Sequence, residues 1–389
     1  MGSEMCIRDR YMGLIYSFST FAVGFLARPI GGILFGHFGD RLGRKAALVT
    51  ALTLMGLATT IIGLLPTYSS IGVLAPLALI LMRFLQGLAI GGQWGGAMLL
   101  VTENAPADRR GFYGGFAQAG APMGVVLANL AFLAVTASVS EEAFMSWGWR
   151  IPFIASLLLV GLALYVQLRL EDTPAFKELK AASEGKTEDT GPKSKSPILK
   201  ALSTYPKQIV LAAGAFLSVQ VSFYIFIVFI MSYGTDPDGL ALSRTDMLTA
   251  VLISSFAQVP AIFLAASYSD RHGRRGIYKM GALAMAVWGF CVFPLMDTGS
   301  LLAITLALTV GQIFIGMMYG PQAALLTELF STEVRYSGAS LGYQLGAIVG
   351  GGMAPIAATA LIAAFGSAIW VSVLSLIHIS EPTRLLSIS

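Results

Sequence analysis

Ten apolar stretches, each long enough to cross a lipid bilayer as a helix, limit what this chain can become. Their approximate limits are 14–38, 46–65, 73–101, 112–134, 149–169, 208–232, 246–267, 279–296, 300–327 and 337–365. A helical span takes about 20 apolar residues, and inside hydrocarbon every backbone N–H and C=O must be satisfied by the chain itself. Only 12% of the 389 residues are charged, where a soluble domain carries about 25%. The composition therefore speaks against a soluble enzyme. A pI near 9.0 points to a membrane rather than to nucleic acid, because the basic residues sit in loops between apolar runs. Two Cys and three His are too few for a disulfide framework or a Cys/His zinc cluster. No H-E-x-x-H and no Walker loop occurs, so no catalytic constellation, metal or other cofactor is expected.

The two ends read as foreign. Back-translated from a GTG start, Met1–Arg10 (MGSEMCIRDR) resembles a transposase sequencing adapter, and Leu374–Ser389 resembles the opposite adapter with a short index. Residues 1–10 and 374–389 are set aside on that ground. What remains enters the membrane from outside at Tyr11 and breaks off in Ser367–Val373, which reads as the start of another span. The expectation is a twelve-span gene whose first span and most of the last are missing. One alternative to a functional product is that the literal chain exposes polar walls to lipid, misassembles and does nothing.

Loop charge gives the orientation. The loops at 36–45, 103–113, 171–207, 269–279 and 328–336 hold 17 Lys or Arg, and those on the other side hold Arg150 and Arg244. The positive-inside rule makes the first set cytoplasmic, as expected for a multi-pass protein of the inner membrane. Residues 171–207 are rich in Lys and Glu, with Pro174, Pro192 and Pro197. They read as a cytoplasmic linker, with a short helix near Pro174–Ala182, between an N-terminal bundle (11–170, spans 2–6) and a C-terminal bundle (208–373, spans 7–11 and the start of 12).

The bundles repeat one another. Gly39-Asp40-Arg41-Leu42-Gly43-Arg44-Lys45 recurs 230 residues later as Ser269-Asp270-Arg271-His272-Gly273-Arg274-Arg275. Met98–Glu103 followed by Arg110 recurs 225 residues later as Ala323–Glu328 followed by Arg335. Paired halves around a midplane site are a transporter architecture. In the loop, Gly43 can adopt the positive φ of a tight turn, and Arg41, Arg44 and Lys45 can anchor to interfacial phosphates.

Gly36-His37-Phe38-Gly39-Asp40-Arg41-Leu42-Gly43-Arg44-Lys45 resembles the signature G-x-x-x-D-R-x-G-R-[RK] of the major facilitator superfamily. The resemblance implies an all-α integral membrane protein of two six-helix bundles, here with ten complete spans. It also implies a gating latch at Gly36, Asp40, Arg41, Gly43, Arg44 and Lys45, echoed by Asp270, Arg271, Gly273 and Arg274, which breaks as the halves rock. Ala27–Gly32, Gly91–Gly96, Trp149–Phe153 and Glu171–Pro174 are similar to the metabolite:proton symporter family, which includes shikimate, α-ketoglutarate, citrate and proline/betaine carriers. Gln93 stands where that family usually has Glu. In that family the first span carries an acidic residue tied to proton coupling.

No acidic residue lies inside a span, but two cations do. Arg28 sits about 20 Å along its helix from Arg41, at about 1.5 Å per residue, and Arg83 lies midway along 73–101. A charge at that depth is functional by default and needs a partner. That partner is an acid outside this chain, an anionic substrate, or water with backbone carbonyls. Pro29 frees one carbonyl that Arg28 could satisfy, so Arg83 is the first candidate to meet a substrate carboxylate and Arg28 the second. Gln93, Gln118, Gln220, Tyr224, Gln258, Gln312, Tyr319, Gln322 and Gln344 also lie within spans. Of these, Gln93, Gln118, Gln220 and Tyr319 are the candidates for lining a cavity with Arg83 and Arg28. The rest read as interhelical glue, and the glycines at 91–96 and 350–352 as sites of close packing.

The expected function is secondary active import of a small organic anion or zwitterion with a proton, by alternating access and as a monomer. A betaine or proline carrier and a transporter-derived membrane sensor are the rivals.

Overall fold

A computed structural model describes residues 2–42, 44–169, 202–237, 239–331 and 335–377, and among them the chain is helical without a strand. The long helices are α1 (Gly2–Leu42), α2 (Arg44–Leu64), α3 (Leu74–Asn104), α4 (Arg110–Ser138), α5 (Ile151–Arg169), α6 (Pro206–Gly234), α7 (Arg244–His272), α8 (Arg274–Met296) and α9 (Leu301–Glu328). The last, α10, runs from Arg335–Ala347 through a π-helical segment, Ile348–Met353, into Ala354–Phe365. A second π-helical segment, Ile225–Phe229, interrupts α6. Among the described residues nine helices are long and apolar enough to cross a membrane, and α2 has a shorter apolar part, Val49–Leu64. Each helix covers one of the ten stretches read from sequence. Residues 2–10 continue α1, and 369–377 form a further helical turn set in which Ser372 Oγ donates to Gly289 O of α8 at 2.7 Å. The helix expected near Pro174–Ala182 lies outside the described residues, as does Gly43.

Helix ends follow local chemistry. Ser243 caps α7, its Oγ accepting from Asp246 N at 3.0 Å. Gly273 takes φ +89° between α7 and α8, the left-handed turn that glycine allows without a Cβ clash. It stands in the repeat where Gly43 stands in the first copy.

Helix α3 packs on α1 and α2, and α5 packs on α2; in the second half α9 packs on α7 and α8, and α10 on α6. The halves meet where α4 lies on α7 and α9, and where α1 lies on α10. The α1–α3 contact is backbone against backbone. A Cβ on Gly87 would overlap Gly24 O, one on Gly91 would overlap Arg28 O, and one on Gly31 would overlap Leu88 O. Small residues of this kind drive association where lipid removes the hydrophobic force between helices.

Arg150 ties the outer ends of α2 and α5. Its Nη1 donates to Gly63 O at 3.0 Å and Leu65 O at 2.5 Å, carbonyls that the end of α2 leaves free. Its guanidinium packs 4.6 Å from the Trp149 ring centroid. Arg150→Ala is expected to cost about 1.5–3 kcal/mol and to lower the thermal midpoint in detergent by several degrees. An unchanged midpoint would remove the tie.

Candidate functional site

Two structural features join the halves: a central polar-aromatic layer, and a charged knot at the end that carries the basic loops.

In the central layer α1 contributes Phe21, Phe25 and Arg28, one helical turn apart. Arg28 is buried. Its guanidinium carbon lies 3.9 Å from the Phe25 ring centroid, a desolvated cation–π contact, and its Nε has no hydrogen-bond partner. Phe25 meets Tyr224 of α6 edge-on at 5.2 Å and fills the space that Gly351 and Gly352 of α10 leave open. From α3, Trp94 stacks on Tyr343 of α10 at 3.6 Å, and Tyr343 leans on Phe216 of α6 at 4.0 Å. Gln344 Nε2 donates to Gly91 O at 3.4 Å, and Gln118 Nε2 donates to Tyr319 O at 3.2 Å. Both bonds cross between the halves.

Arg83 is placed differently from Arg28. Its Nη1 donates to Gln86 Oε1 at 3.3 Å, and Gln86 Nε2 donates to Thr59 Oγ1 of α2 at 2.7 Å. Its guanidinium carbon is 5.6 Å from the Phe21 ring centroid. Arg83 is therefore held inside the N-terminal half, while Arg28 faces the seam. Among the described residues no carboxylate pairs with either cation. Gln220 is buried beside Gly350 of α10. Gln93 is half-buried, and its Nε2 has no partner. The structure thus brings Arg28, Gln118 and Tyr319 to the seam and holds Arg83 apart.

At the other end, Asp270 in the last turn of α7 accepts from the backbone N–H groups of Gly111 and Phe112, each at 2.8 Å. These belong to the first turn of α4, where free N–H groups and the helix dipole favour an anion. A Cβ on Gly111 would lie 2.7 Å from Asp270 Oδ1, so glycine permits the approach. Arg274 Nη1 lies 2.5 Å from Asp270 Oδ1, and its Nη2 lies 3.2 Å from Glu328 Oε1 at the end of α9. Arg271 and His272 are exposed. The side chains of Asp40, Arg41, Arg44 and Lys45 lie outside the described residues, and Gly36 sits in the last turns of α1. The loop alone marked Asp270; its partner on α4 had no signal in the sequence beyond the glycine at 111.

Asp270→Asn removes the charge from this knot and is expected to cost about 1.5–3 kcal/mol of contact between α4 and α7. Spin labels on Arg109→Cys and Arg271→Cys, with Cys6 and Cys291 replaced, should report a broadened and lengthened distance distribution. An unchanged distribution would show that the knot does not hold the halves.

One spacing associated with hydrolases occurs, Gly338-Ala339-Ser340-Leu341-Gly342. It lies inside α10 rather than on the strand-to-helix turn that exposes a nucleophile, and Ser340 is buried. No group of three or more metal-ligating side chains gathers among the described residues.

Comparison with known proteins places this geometry. A family model described as the Major Facilitator Superfamily matches residues 3–355. The inner membrane metabolite transport protein YhjE of Escherichia coli (strain K12) is 41% identical over 361 residues, covering 92% of this chain and 80% of the relative. The shikimate transporter of the same organism is 37% identical over 355 residues, covering 91% and 79%. The crystal structure of a D-xylose-proton symporter superposes with a TM-score of 0.73 at 18% identity, over 96% of this chain and 88% of that one. At that identity the likeness is one of fold.

Proposed function

Because the chain belongs to the Major Facilitator Superfamily, we propose that it imports a small carboxylate-bearing metabolite with a proton across the inner membrane, by alternating access at the seam. The observation that carries this reading is Arg28. It is a buried cation between the halves, without a carboxylate partner among the described residues. Such a charge at mid-depth costs several kcal/mol unless something anionic or polar meets it, and a substrate carboxylate supplies the bidentate geometry that guanidinium favours. Arg83, braced by Gln86 and Thr59, adds positive potential behind Phe21. Gln118 and Tyr319 hold the seam, with Gln93 and Gln220 beside it. The Asp270–Gly111 contact, with Gly273 as its turn and Arg274 as its counter-ion, acts as a latch. Asp40, Arg41, Gly43, Arg44 and Lys45 form its counterpart in the first half. Residues 11–170 and 208–373 move as two bundles on the cytoplasmic linker 171–207, in a monomer.

A direct test compares uptake of shikimate, the substrate named for one relative, with uptake of its carboxamide. The carboxylate should be preferred about 100-fold, the cost of leaving a buried charge unpaired. Equal uptake would remove Arg28 from recognition. A second reading, a zwitterion carrier, draws on the rings of Trp94, Tyr343 and Phe216 near Arg28, which could face an ammonium group. Glycine betaine as a stronger competitor than shikimate would favour it.

A further inference from the structure

Helices α7 and α9 run parallel and in close contact. Gly316 of α9 packs against Gln258 O, Ala261 and Ile262 of α7, and Gly320 packs against Ile262 and Ala266. Gln312 lies one turn before Gly316 on the same face of α9, and Ser255 lies about one turn before Gln258 on α7. The register of the glycine contacts therefore sets Gln312 opposite Ser255, with Gln258 a turn below. Side chains on both helices lean the same way, toward the N-terminus, so all three project at the α7–α9 contact within about one turn of one another. Tyr319, which takes part in the seam, is seven residues further along α9, about 10 Å away along the axis.

Ser255, Gln258 and Gln312 are each 0% exposed. Both amide atoms of Gln258, both of Gln312, and Ser255 Oγ have no hydrogen-bond partner. Gln118, Gln322 and Gln344 also have an unpartnered amide oxygen, but each donates its amide N–H to a backbone carbonyl. Buried polar groups are nearly always paired, and an unpaired cluster calls for a reason.

We propose that Ser255, Gln258 and Gln312 form a subsite for the hydroxyl groups of the transported metabolite, which is a hydroxylated carboxylate rather than a betaine-like zwitterion. The inference rests on the carboxylate reading above. The chemistry of the unpaired atoms selects the class. Two amide N–H₂ groups donate, two amide oxygens accept and a hydroxyl does both, so the complement must donate and accept at once, as a hydroxyl does. A trimethylammonium group has no N–H or O–H and would leave the amide oxygens unpaired. A second carboxylate only accepts and would leave the same oxygens facing an anion. Arg28 belongs to the N-terminal half and the trio to the C-terminal half, so a metabolite held by both draws the halves together.

The test uses the chain in proteoliposomes with three probes: shikimate, cyclohex-1-enecarboxylate (the same ring and carboxylate without the hydroxyls) and glycine betaine. A site built to bond hydroxyls rejects the analogue lacking them, here by at least about 100-fold. Gln258→Leu and Gln312→Leu should each cut that ratio about tenfold by lowering shikimate uptake, leaving uptake of the deoxy acid per folded protein unchanged. Gln312→Asn should restore part of the ratio. Equal transport of the two acids by the unaltered chain overturns the subsite and leaves the carboxylate reading standing. Loss of both acids in parallel in the Leu variants shows a packing role and also overturns it. Transport of betaine alone, or of none of the three, overturns the carboxylate reading and the subsite with it.

Discussion

Replacing Arg28 with Gln is expected to reduce carboxylate uptake about 100-fold, near 3 kcal/mol, while the protein stays folded in the membrane. The two halves of that result have separate causes. Arg28 is buried against Phe25 with an unpartnered Nε and no carboxylate beside it among the described residues. Removing the charge relieves a burial cost in the unloaded protein, so the thermal midpoint should hold or rise. The same change deprives a bound carboxylate of its counter-ion, which appears in uptake alone. Arg28→Lys keeps the charge but loses the planar fork, and its uptake should fall between the two. Unchanged uptake in Arg28→Gln would show the arginine to be structural, and so would a collapse of folding.

Gly87→Ala is expected to impair assembly about tenfold. Its Cβ would overlap the carbonyl oxygen of Gly24, and both partners are backbone, so no rotamer change relieves the contact. Inserting a methyl group into a packed interior costs about 1–3 kcal/mol and occasionally more; a clash between two rigid helix backbones belongs at the upper end. The yield of monodisperse protein after detergent extraction should fall about tenfold, the equivalent of 1.4 kcal/mol or more. Gly91→Ala, against Arg28 O, should behave alike. Gly120→Ala, Gly124→Ala and Gly161→Ala supply the contrast, because nothing lies within 4 Å of a Cβ at those positions. There the change should be neutral or slightly stabilising through helix propensity. Equal yields across the two groups would mean that α1 and α3 do not touch as described.

The helices and their order were legible because hydropathy over some twenty residues is a local property. Gly273 takes a positive φ in the second copy of the loop motif, the conformation that a tight turn asks of its glycine. The glycines at 91 and 350–352 were readable as packing sites, and each meets a neighbouring helix. What stayed hidden depends on how distant segments come together. Asp270 bonds to N–H groups of residues 111 and 112, Gln118 to the carbonyl of Tyr319, and Trp94 stacks on Tyr343. Each pair spans more than a hundred residues, and no periodicity encodes it. Gln258 and Gln312 stood out as polar residues inside spans, but only the register of α7 against α9 sets them at one contact. The π-helical segments at Ile225–Phe229 and Ile348–Met353 had no local signal apart from the second one's glycines. In the sequence Arg83 is the stronger candidate of the two to meet a substrate carboxylate, because Pro29 frees a carbonyl that Arg28 could satisfy. The bond from Arg83 to Gln86, and from Gln86 to Thr59, is what separates a cation inside one bundle from a cation at the seam.

We propose carboxylate import coupled to protons. The most direct measurement is uptake of radiolabelled shikimate into proteoliposomes containing the chain, with an inward proton gradient imposed and then dissipated by a protonophore. Label should accumulate above the external concentration while the gradient lasts and be lost when it collapses. Binding without flux, or uptake that ignores the gradient, would contradict the proposal.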